Sequence, residues 1–238
     1  MGDPGIFFTA NALAKTGSIG TFMTLFINNY KGGRNESFMY GIDKDTKWFD
    51  YDLTSAYTTA MAALTLPDYF AGDIIDHNKV IKWSDAQLMS GYTIIYTLFT
   101  FPKSVKYPSI PCYIDKTSTV YPLVGTSYLT GPEFILARNQ GCEFKPKLAF
   151  HIADKKEFSK SDKEYISLKP FKEIIKELQR LRKLYPKKTV NNLTYKEIGN
   201  SIYGNVVRGM NNKLTFDSKT GNSTRIIGTD LSNPILAS

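Results

Sequence analysis

Two acidic residues stand close together in a stretch of sequence that favours an extended chain. Asp50 and Asp52 lie two residues apart in the aromatic segment 48–53, WFDYDL. In a strand, residues two apart project from the same face, so both carboxylates would point the same way. Burying an unpaired carboxylate is very costly. The pattern therefore leaves two interpretations open: acids that face solvent, or oxygen ligands that meet a metal ion or another positive group.

A second group of polar residues follows helical spacing. Lys196, Asn200 and Tyr203 fall at positions i, i+4 and i+7, so they share one helix face that offers a cation, a carboxamide and a phenol. Gly199 lies between them, and a glycine inside a helix costs about 1 kcal/mol relative to alanine. That cost indicates a packing or functional reason, such as close approach by a flat ligand or a nucleic-acid backbone. The alternative is an ordinary amphipathic helix with a solvated polar face.

The positive charge of the chain is concentrated in one region. The 238 residues carry a net charge of +8, and residues 155–213 alone contain 15 Lys or Arg and 6 Asp or Glu. This block favours a polyanionic partner, nucleic acid or nucleotide, although a solvated lysine-rich surface would have the same composition. No apolar run reaches about 18 residues, so we expect no membrane partner. Cys112 and Cys142 lack metal-site spacing, and we expect a reduced, intracellular protein.

Periodicity predicts a pair of helices that would carry the second group. Residues 171–184 predict a helix whose apolar stripe is Phe171, Ile174, Ile175, Leu178 and Leu181. A second helix is predicted to begin at Thr194, because Glu197 completes a capping box. The short polar connection between them favours an antiparallel hairpin.

The rest of the chain predicts a mixture of helix and strand. Residues 55–66 are small and end before a proline, which favours a short helix. Residues 92–152 contain several β-rich runs separated by proline and glycine. Within them, residues 130–141 carry helix signals, with a proline near the start and a glycine after the end.

Three strings in this sequence resemble motifs of family B DNA polymerases. KEIGNSIYG at 196–204 resembles the K-x-x-x-N-S-x-Y-G motif. DLTSAYTT, beginning at Asp52, resembles D-x-x-S-L-Y-P-S, with Ala56 in place of leucine and Thr58 in place of proline. YKGGR at 30–34 resembles the Y-x-G-G motif of the protein-primed branch. The strings stand in the family's order, and the gap of about 140 residues between the two main motifs is similar to that branch.

The resemblance implies roles in nucleotidyl transfer, in which a primer hydroxyl attacks the α-phosphate of a nucleotide beside two Mg²⁺ ions. Asp52 would be a carboxylate ligand of Mg²⁺, and the carbonyl of Leu53 a neighbouring ligand. Asp52 and Lys196 are the implied catalytic residues, the lysine neutralising the nucleotide phosphates. The implied nucleotide-binding residues are Ser55, Ala56, Tyr57, Arg182, Lys196, Asn200 and Tyr203. The implied DNA-binding residues are Tyr30, Gly32, Gly33, Arg34 and Gly204.

Several of these roles have a chemical reason. Ser55 and Ala56 would offer backbone N–H groups near a helix start, where anions bind readily. Tyr57 resembles the ring that lies beneath the sugar and excludes a 2′-hydroxyl. Relatives use another basic residue of the preceding helix to hold the triphosphate. Arg182 is favoured over Arg180 for this role, because Arg180 lies nearer the apolar stripe.

One motif of the family is absent from the sequence. The second catalytic carboxylate lies in a Y-x-D-T-D motif, and no such string occurs here. Thr229 and Asp230 are superficially similar but lack the preceding aspartate, and Asp50 has no motif role. The chain would therefore supply only part of the two-metal Mg²⁺ site. Exonuclease motifs have no room before residue 30.

The leading hypothesis is a fragment or split subunit of a protein-primed polymerase, inactive alone. Its expected partners are dNTP, primer-template DNA, a priming terminal protein and a second polypeptide that carries the remaining palm motif. The alternatives are a non-catalytic nucleic-acid-binding remnant of such a polymerase, and a nucleotide-binding enzyme of unrelated fold, which would leave the coincidence of motifs unexplained.

The implied fold is α+β: a partial palm with a β-rich insertion and an antiparallel two-helix fingers subdomain. Segment 1–66 is predicted to be a partial palm with the template-contact string and the Asp52 motif, and 67–168 a β-rich insertion of the type that contacts terminal protein, with adjoining palm. Segment 169–208 is predicted to be the fingers helix pair, and 209–238 the truncated start of a second insertion and further palm.

Overall fold

A computed structural model describes residues 18–114, 118–208, 214–225 and 233–238. Thr229 and Asp230 lie outside the described residues, as do the other parts of the predicted segments 1–66 and 209–238 that these ranges leave out. The helices are α1 (Ser18–Asn29), α2 (Ala56–Ala63), α3 (His77–Val80), α4 (Asp85–Met89), α5 (Gly131–Asn139), α6 (Lys172–Lys183), α7 (Val190–Val207) and α8 (Pro234–Ala237). The strands are β1 (Pro67–Ile75), β2 (Tyr92–Thr100), β3 (Cys112–Tyr113), β4 (Thr119–Val120), β5 (Val124–Thr130), β6 (Glu143–Asp154), β7 (Lys156–Ser159), β8 (Glu164–Ser167), β9 (Leu214–Asp217) and β10 (Asn222–Arg225).

The main sheet is antiparallel, with strand order β1–β6–β2–β5. Strand β2, YTIIYTLFT, is rich in β-branched and aromatic residues, which fit a pleated and buried surface. Its Ile95 pairs with Leu129 of β5 and with Ala149 of β6, and all three side chains are fully buried. Phe134 of α5 is buried in the same cluster. Mixed helices and antiparallel sheet therefore give the α+β class that the sequence predicted.

A second buried cluster joins α1 and α8 to this sheet. Phe26 of α1 packs edge-on against Phe150 of β6, with ring centroids 6.1 Å apart. Ile235 of α8 is fully buried in the same cluster. Asn233 caps α8 and also donates a hydrogen bond to the Tyr69 hydroxyl at 2.6 Å. These contacts fix the position of α1, which leads directly into the segment YKGGR.

Helices α6 and α7 form a hairpin connected by residues 184–189. The start of α7 lies against the end of α6, because the side-chain amide of Asn192 donates to the carbonyls of Arg182 at 3.0 Å and Tyr185 at 3.1 Å. Helix α2 packs against both helices of the hairpin. The two-helix hairpin that the sequence predicted is present.

Helix α7 begins earlier than the sequence predicted. Its cap is Thr189, whose hydroxyl accepts a hydrogen bond from the Asn192 N–H at 3.4 Å. Thr194 lies inside the helix, where its hydroxyl donates to the Val190 carbonyl at 2.9 Å. The predicted capping box of Thr194 and Glu197 is therefore wrong. Burial of Asn192 against α6 holds the preceding residues in the helix despite their modest helix propensity.

The predicted strand at 48–53 is also wrong. The segment has no ladder partner and is exposed along its whole length, with Tyr51 88% and Leu53 81% exposed. A strand needs a partner strand to pair its backbone N–H and C=O groups, and no strand among the described residues pairs with this segment. Asp50 and Asp52 accordingly face solvent, so neither carboxylate is buried.

The described residues also bear on the expectations about a membrane span and about the two cysteines. No helix among the described residues is long and apolar enough to cross a membrane. Cys112 and Cys142 both carry free thiols. Burial raises the pKa of the Cys142 thiol to about 11, which keeps it protonated and unreactive near neutral pH.

Candidate active site

A cavity of about 420 Å³ lies where α2 meets the α6–α7 hairpin. Of the residues predicted to bind metal or nucleotide, the cavity is lined by Asp52, Leu53, Ser55, Ala56, Tyr57, Arg182, Lys196 and Asn200. Among the described residues, its charged lining side chains are three cations, Arg182, Lys187 and Lys196, and one carboxylate, Asp52. Because positive charge predominates, the cavity favours an anionic ligand.

One wall of the cavity is the turn that begins helix α2. Ser55 adopts φ 60° and ψ 31°, a left-handed conformation that is uncommon for a residue with a side chain. Its carbonyl accepts hydrogen bonds from the Thr59 N–H at 2.9 Å and the Thr58 hydroxyl at 3.0 Å. The first N–H groups of a helix lack acceptors within the helix, and the helix dipole makes this end attractive to anions. The tight turn thus brings an anion-binding helix start to the cavity.

Arg182 reaches from α6 to this turn. Its Nη1 donates to the Ser55 Oγ at 3.3 Å, and its Nε donates to the Asn192 Oδ1 at 3.4 Å. Asn192 is only 6% exposed, so the guanidinium is held by a residue that is itself fixed. Arg180 instead lies on the exposed side of α6 and pairs with Glu177 at 2.7 Å. The structure places Arg182 and not Arg180 at the cavity, and its contact with a triphosphate stays a prediction.

Gly199 explains how α2 and α7 come so close. A Cβ added at Gly199 would lie 2.9 Å from the Cγ2 of Thr58, inside van der Waals contact. The residue is buried at this crossing. The sequence left a packing reason and a functional reason open, the latter being close approach by a ligand or a nucleic-acid backbone. In the structure its missing side chain makes room for Thr58, so the reason is helix packing.

Three tyrosines meet beside the cavity. The rings of Tyr57 and Tyr203 lie 5.1 Å apart between centroids with planes at 34°. The pKa of Tyr203 is raised to about 12, first by burial and then by the neighbouring Tyr30 hydroxyl. The Tyr30 carbonyl in turn accepts a hydrogen bond from the Tyr113 hydroxyl at 2.9 Å. One residue of the Y-x-G-G string therefore lies beside Tyr203, which in turn contacts Tyr57.

Asp52 and Leu53 offer oxygen atoms of the kind that Mg²⁺ binds. The Asp52 carboxylate is exposed at the cavity. The Leu53 carbonyl accepts a long hydrogen bond, 3.4 Å, from the Ala56 N–H. Hard oxygen ligands of this type suit Mg²⁺, which is usually held by one or two carboxylates together with phosphates and waters. Within the described ranges, no three His, Cys, Asp or Glu side chains gather into a metal-binding group.

Comparison with known proteins finds similarity to one much longer protein. An Escherichia coli protein named primer-independent DNA polymerase PolB is 32% identical to this chain over 216 residues. The match supports a family B polymerase relationship. It covers 91% of the chain but 24% of the length of that relative, so the chain spans about a quarter of it. No family model matches the chain, and no solved structure matches it.

Arg34, predicted to contact DNA, is not among the residues that line the cavity. Its Nη1 donates to the Pro108 carbonyl at 2.9 Å, and its Nε donates to the Glu36 carboxylate at 2.7 Å. The guanidinium also lies 4.0 Å from the centre of the Tyr121 ring. These contacts attach the segment YKGGR to the β-rich region. The other predicted DNA-binding positions, Gly32, Gly33 and Gly204, are open, with nothing within 4 Å of an added Cβ.

Sequence reasoning missed two residues that matter at the cavity. Lys187 lines it as a third cation, but it lies in a segment that was interpreted only as a polar connection. Asn192 supports Arg182 from the same segment. A signal for Asn192 was available, because Thr189 stands three residues before it and threonine favours the N-cap. No comparable local signal distinguishes Lys187 from the other surface lysines.

Proposed function

We propose that the cavity binds a deoxynucleoside triphosphate for template-directed DNA synthesis, and that the chain carries part of the active site of a protein-primed family B polymerase. One observation carries the proposal: residues of two polymerase-like motifs, far apart in sequence, line one positively charged cavity together with Arg182. A nucleotide-binding enzyme of unrelated fold would not explain this combination of motifs and geometry.

The chemistry assigns a task to each residue. The primer hydroxyl forms a bond to the α-phosphorus, the bond to pyrophosphate breaks, and pyrophosphate leaves. Arg182, Lys187 and Lys196 would neutralise the triphosphate, and the start of α2 would receive one of its phosphates. Tyr57, beside Tyr203, would lie under the sugar and exclude a ribose 2′-hydroxyl.

Asp52 and the Leu53 carbonyl would hold Mg²⁺ in this proposal. The bound metal supplies stabilisation of the attacking and leaving oxygens of the transfer. The cavity has one carboxylate among its lining residues, so the proposal includes a second carboxylate from a further polypeptide segment. Template DNA would run past the open glycines Gly32, Gly33 and Gly204.

The source of the initiating hydroxyl defines the branch. The Y-x-G-G string favours protein priming, in which a side-chain hydroxyl of a terminal protein takes the place of the primer end. The E. coli relative is named primer-independent. The chain is mixed with a polypeptide that carries the Y-x-D-T-D motif, and synthesis is measured on template alone, on primed template and with a terminal protein. We expect the first nucleotide to become covalently attached to the terminal protein, and synthesis from template alone would refute protein priming.

Nucleotide binding tests the cavity directly. We expect Lys196→Ala to weaken binding of a fluorescent deoxynucleoside triphosphate, measured by anisotropy with Mg²⁺. Loss of a charge-assisted contact of about 1.5–3 kcal/mol corresponds to a roughly 10- to 150-fold increase in Kd. The matched control is Lys176→Ala, because Lys176 lies on the exposed side of α6 and pairs with Glu173 at 3.0 Å. Equal effects of the two substitutions would show that the cavity is not the nucleotide site.

The single carboxylate also supports a second candidate, a nucleic-acid-binding remnant without activity. Primer extension separates the two. The 238-residue chain alone is expected to extend no primer. Extension that appears only when a polypeptide with the Y-x-D-T-D motif is added would establish the split active site. Failure of extension in the mixture, with oligonucleotide binding intact, would favour the remnant.

A further inference from the structure

The ribbon of β7 and β8 projects a pair of aromatic rings into solvent. Phe158 and Tyr165 are cross-strand partners, with ring centroids 5.4 Å apart and planes at 67°. They are 53% and 69% exposed, respectively. Neither ring belongs to a buried cluster of the described chain. Aromatic rings supply large apolar area, so a pair left this exposed forgoes stabilisation that burial would give.

The ribbon has two faces of different chemistry. Side chains two apart, and side chains directly opposite across the ladder, share a face. The register therefore places Lys156 with Phe158 and Tyr165 on one face. The other face carries Glu157 and Glu164, together with Ile166. Cation and aromatic rings are thus separated from the acids.

The base and the turn of the ribbon are fixed. At the base, the Ser167 hydroxyl donates to the Asp154 carboxylate at 3.0 Å, and the Leu168 N–H donates to the Lys155 carbonyl at 3.0 Å. At the turn, the Asp162 carboxylate accepts a hydrogen bond from the Ser161 hydroxyl at 3.1 Å. The aromatic face is therefore presented by an anchored element, which lowers the entropy that a ligand must remove on binding.

The cations of the ribbon are available to a ligand. Lys160 and Lys163 lie in the turn, close to the aromatic pair in sequence. Among the described residues, neither of them nor Lys156 makes an ion pair within 4.0 Å. Asp162 is engaged with the serines of the turn and not with these lysines. The aromatic face thus combines exposed rings with Lys156, and two further lysines lie in the adjoining turn.

We propose that this face binds single-stranded nucleic acid, with one or two bases against Phe158 and Tyr165 and the phosphates near Lys156. Aromatic stacking with a positively charged border is how proteins bind single strands without sequence preference. Bases inside a duplex are stacked on each other and cannot use the rings. The site is separate from the nucleotide cavity and does not depend on the function proposed for it.

The test compares single-stranded and duplex binding. Fluorescein-labelled (dT)16 and a 16-base-pair duplex are titrated with the full chain and with the double variant Phe158→Ala/Tyr165→Ala. Stacking contributes about 1–3 kcal/mol per base, so we expect the Kd for (dT)16 to rise by at least about five-fold. The Kd for duplex is expected to change by less than about two-fold, since lysines bind both forms through phosphates.

Variants on the two faces provide the controls. Lys156→Gln is expected to reduce the slope of log Kd against log salt for (dT)16 by about 0.7, the loss of one single-strand phosphate contact. Ile166→Ala and Glu157→Gln, on the opposite face, are expected to leave the (dT)16 Kd within about two-fold. Circular dichroism melting shows whether each variant is folded.

Two results would overturn the proposal. One is a folded double variant that binds (dT)16 as tightly as the parent chain, which is the result expected of a face that serves a protein partner. The other is photo-crosslinking of iododeoxyuridine-substituted (dT)16 that avoids Phe158 and Tyr165. Crosslinks that map to these rings, together with a selective loss of single-strand binding, support it.

Discussion

Replacing Gly199 by alanine tests the close crossing of α2 and α7. The new Cβ would lie 2.9 Å from the Thr58 Cγ2, whereas carbon atoms in contact are normally about 3.5–4.0 Å apart. Alanine gains about 1 kcal/mol of helix propensity over glycine, but overpacking costs about 1–3 kcal/mol. Thr58 is stiff, because it is β-branched and its hydroxyl bonds to the Ser55 carbonyl. We therefore expect Gly199→Ala to lower the free energy of unfolding by about 0–2 kcal/mol.

A double-mutant cycle isolates this contact. Thr58→Ser keeps the hydroxyl and removes the methyl group that would clash. In the native background the loss of one methyl group is expected to cost about 1 kcal/mol, but in the Gly199→Ala background it should cost nothing or stabilise. The expected coupling energy is about 1–2 kcal/mol. Urea denaturation of the four proteins measures it. Gly204→Ala is the matched control, because nothing lies within 4 Å of its added Cβ and propensity alone should stabilise the helix.

The cycle also has a functional readout. Displacing Thr58 should disturb Ser55 and the contact of Ser55 with Arg182, so nucleotide binding should weaken in Gly199→Ala and recover in the double variant. The reasoning is refuted if Gly199→Ala stabilises the protein as much as Gly204→Ala, or if the two substitutions are additive.

Three further predictions follow from the same site. Asn192→Ala is expected to lower the free energy of unfolding, measured in urea, by about 2–3 kcal/mol, because two carbonyls lose their donor. The control Asn191→Ala, at an exposed position, should change it by less than about 0.5 kcal/mol. Similar losses for both variants would contradict the role of the buried amide. Tyr203 has its pKa raised to about 12 in the folded chain, so its phenol loses a proton first in the unfolded chain. Its contribution to stability is complete below about pH 10 and is lost between about pH 10 and about 12. Tyr203→Phe should flatten that part of the stability profile in urea titrations at stepped pH, and an unchanged slope would contradict the shift. Asp52→Asn is expected to remove the strengthening of nucleotide binding by Mg²⁺ while binding without Mg²⁺ is kept, and titrations with and without MgCl₂ measure this; an undiminished Mg²⁺ effect would exclude Asp52 as a ligand.

The sequence was most informative where local periodicity and packing agree. The helix predicted at 171–184 is present as Lys172–Lys183, and Ile175 of its apolar stripe is buried. Ile174 of the same stripe is 51% exposed, because the contact between two helices buries a narrower face than the five-residue apolar stripe. The helix at 130–141 is present as Gly131–Asn139. Its proline near the start restricts the backbone locally, whatever packs around it.

Prediction failed where tertiary contacts decide. The start of α7 depends on Asn192, whose partners are Arg182 of α6 and Tyr185 of the connection that follows it, so the local capping signal at Thr194 was misleading. The segment 48–53 has strand composition but no partner strand among the described residues. Composition indicates that a residue suits a sheet, but it does not show that a partner strand lies beside it. The grouping of Asp52, Arg182 and Lys196 was expected from motif resemblance, whereas Lys187 became visible only in three dimensions.

The contacts of Tyr30 and Arg34 determine where the chain can accept inserted residues. Tyr30 is joined to the Tyr113 hydroxyl and Arg34 to the Pro108 carbonyl, so both ends of YKGGR are fixed to the β-rich region. An insertion between them would have to bulge outward at the exposed Gly32 and Gly33 or break one attachment. The loop 41–48 is exposed and is stabilised by hydrogen bonds within the loop, such as that from the Thr46 N–H to the Asp43 carboxylate. A reporter dye or epitope tag belongs in this loop, ahead of Asp52, where it would report on the cavity without moving the tyrosines that border it.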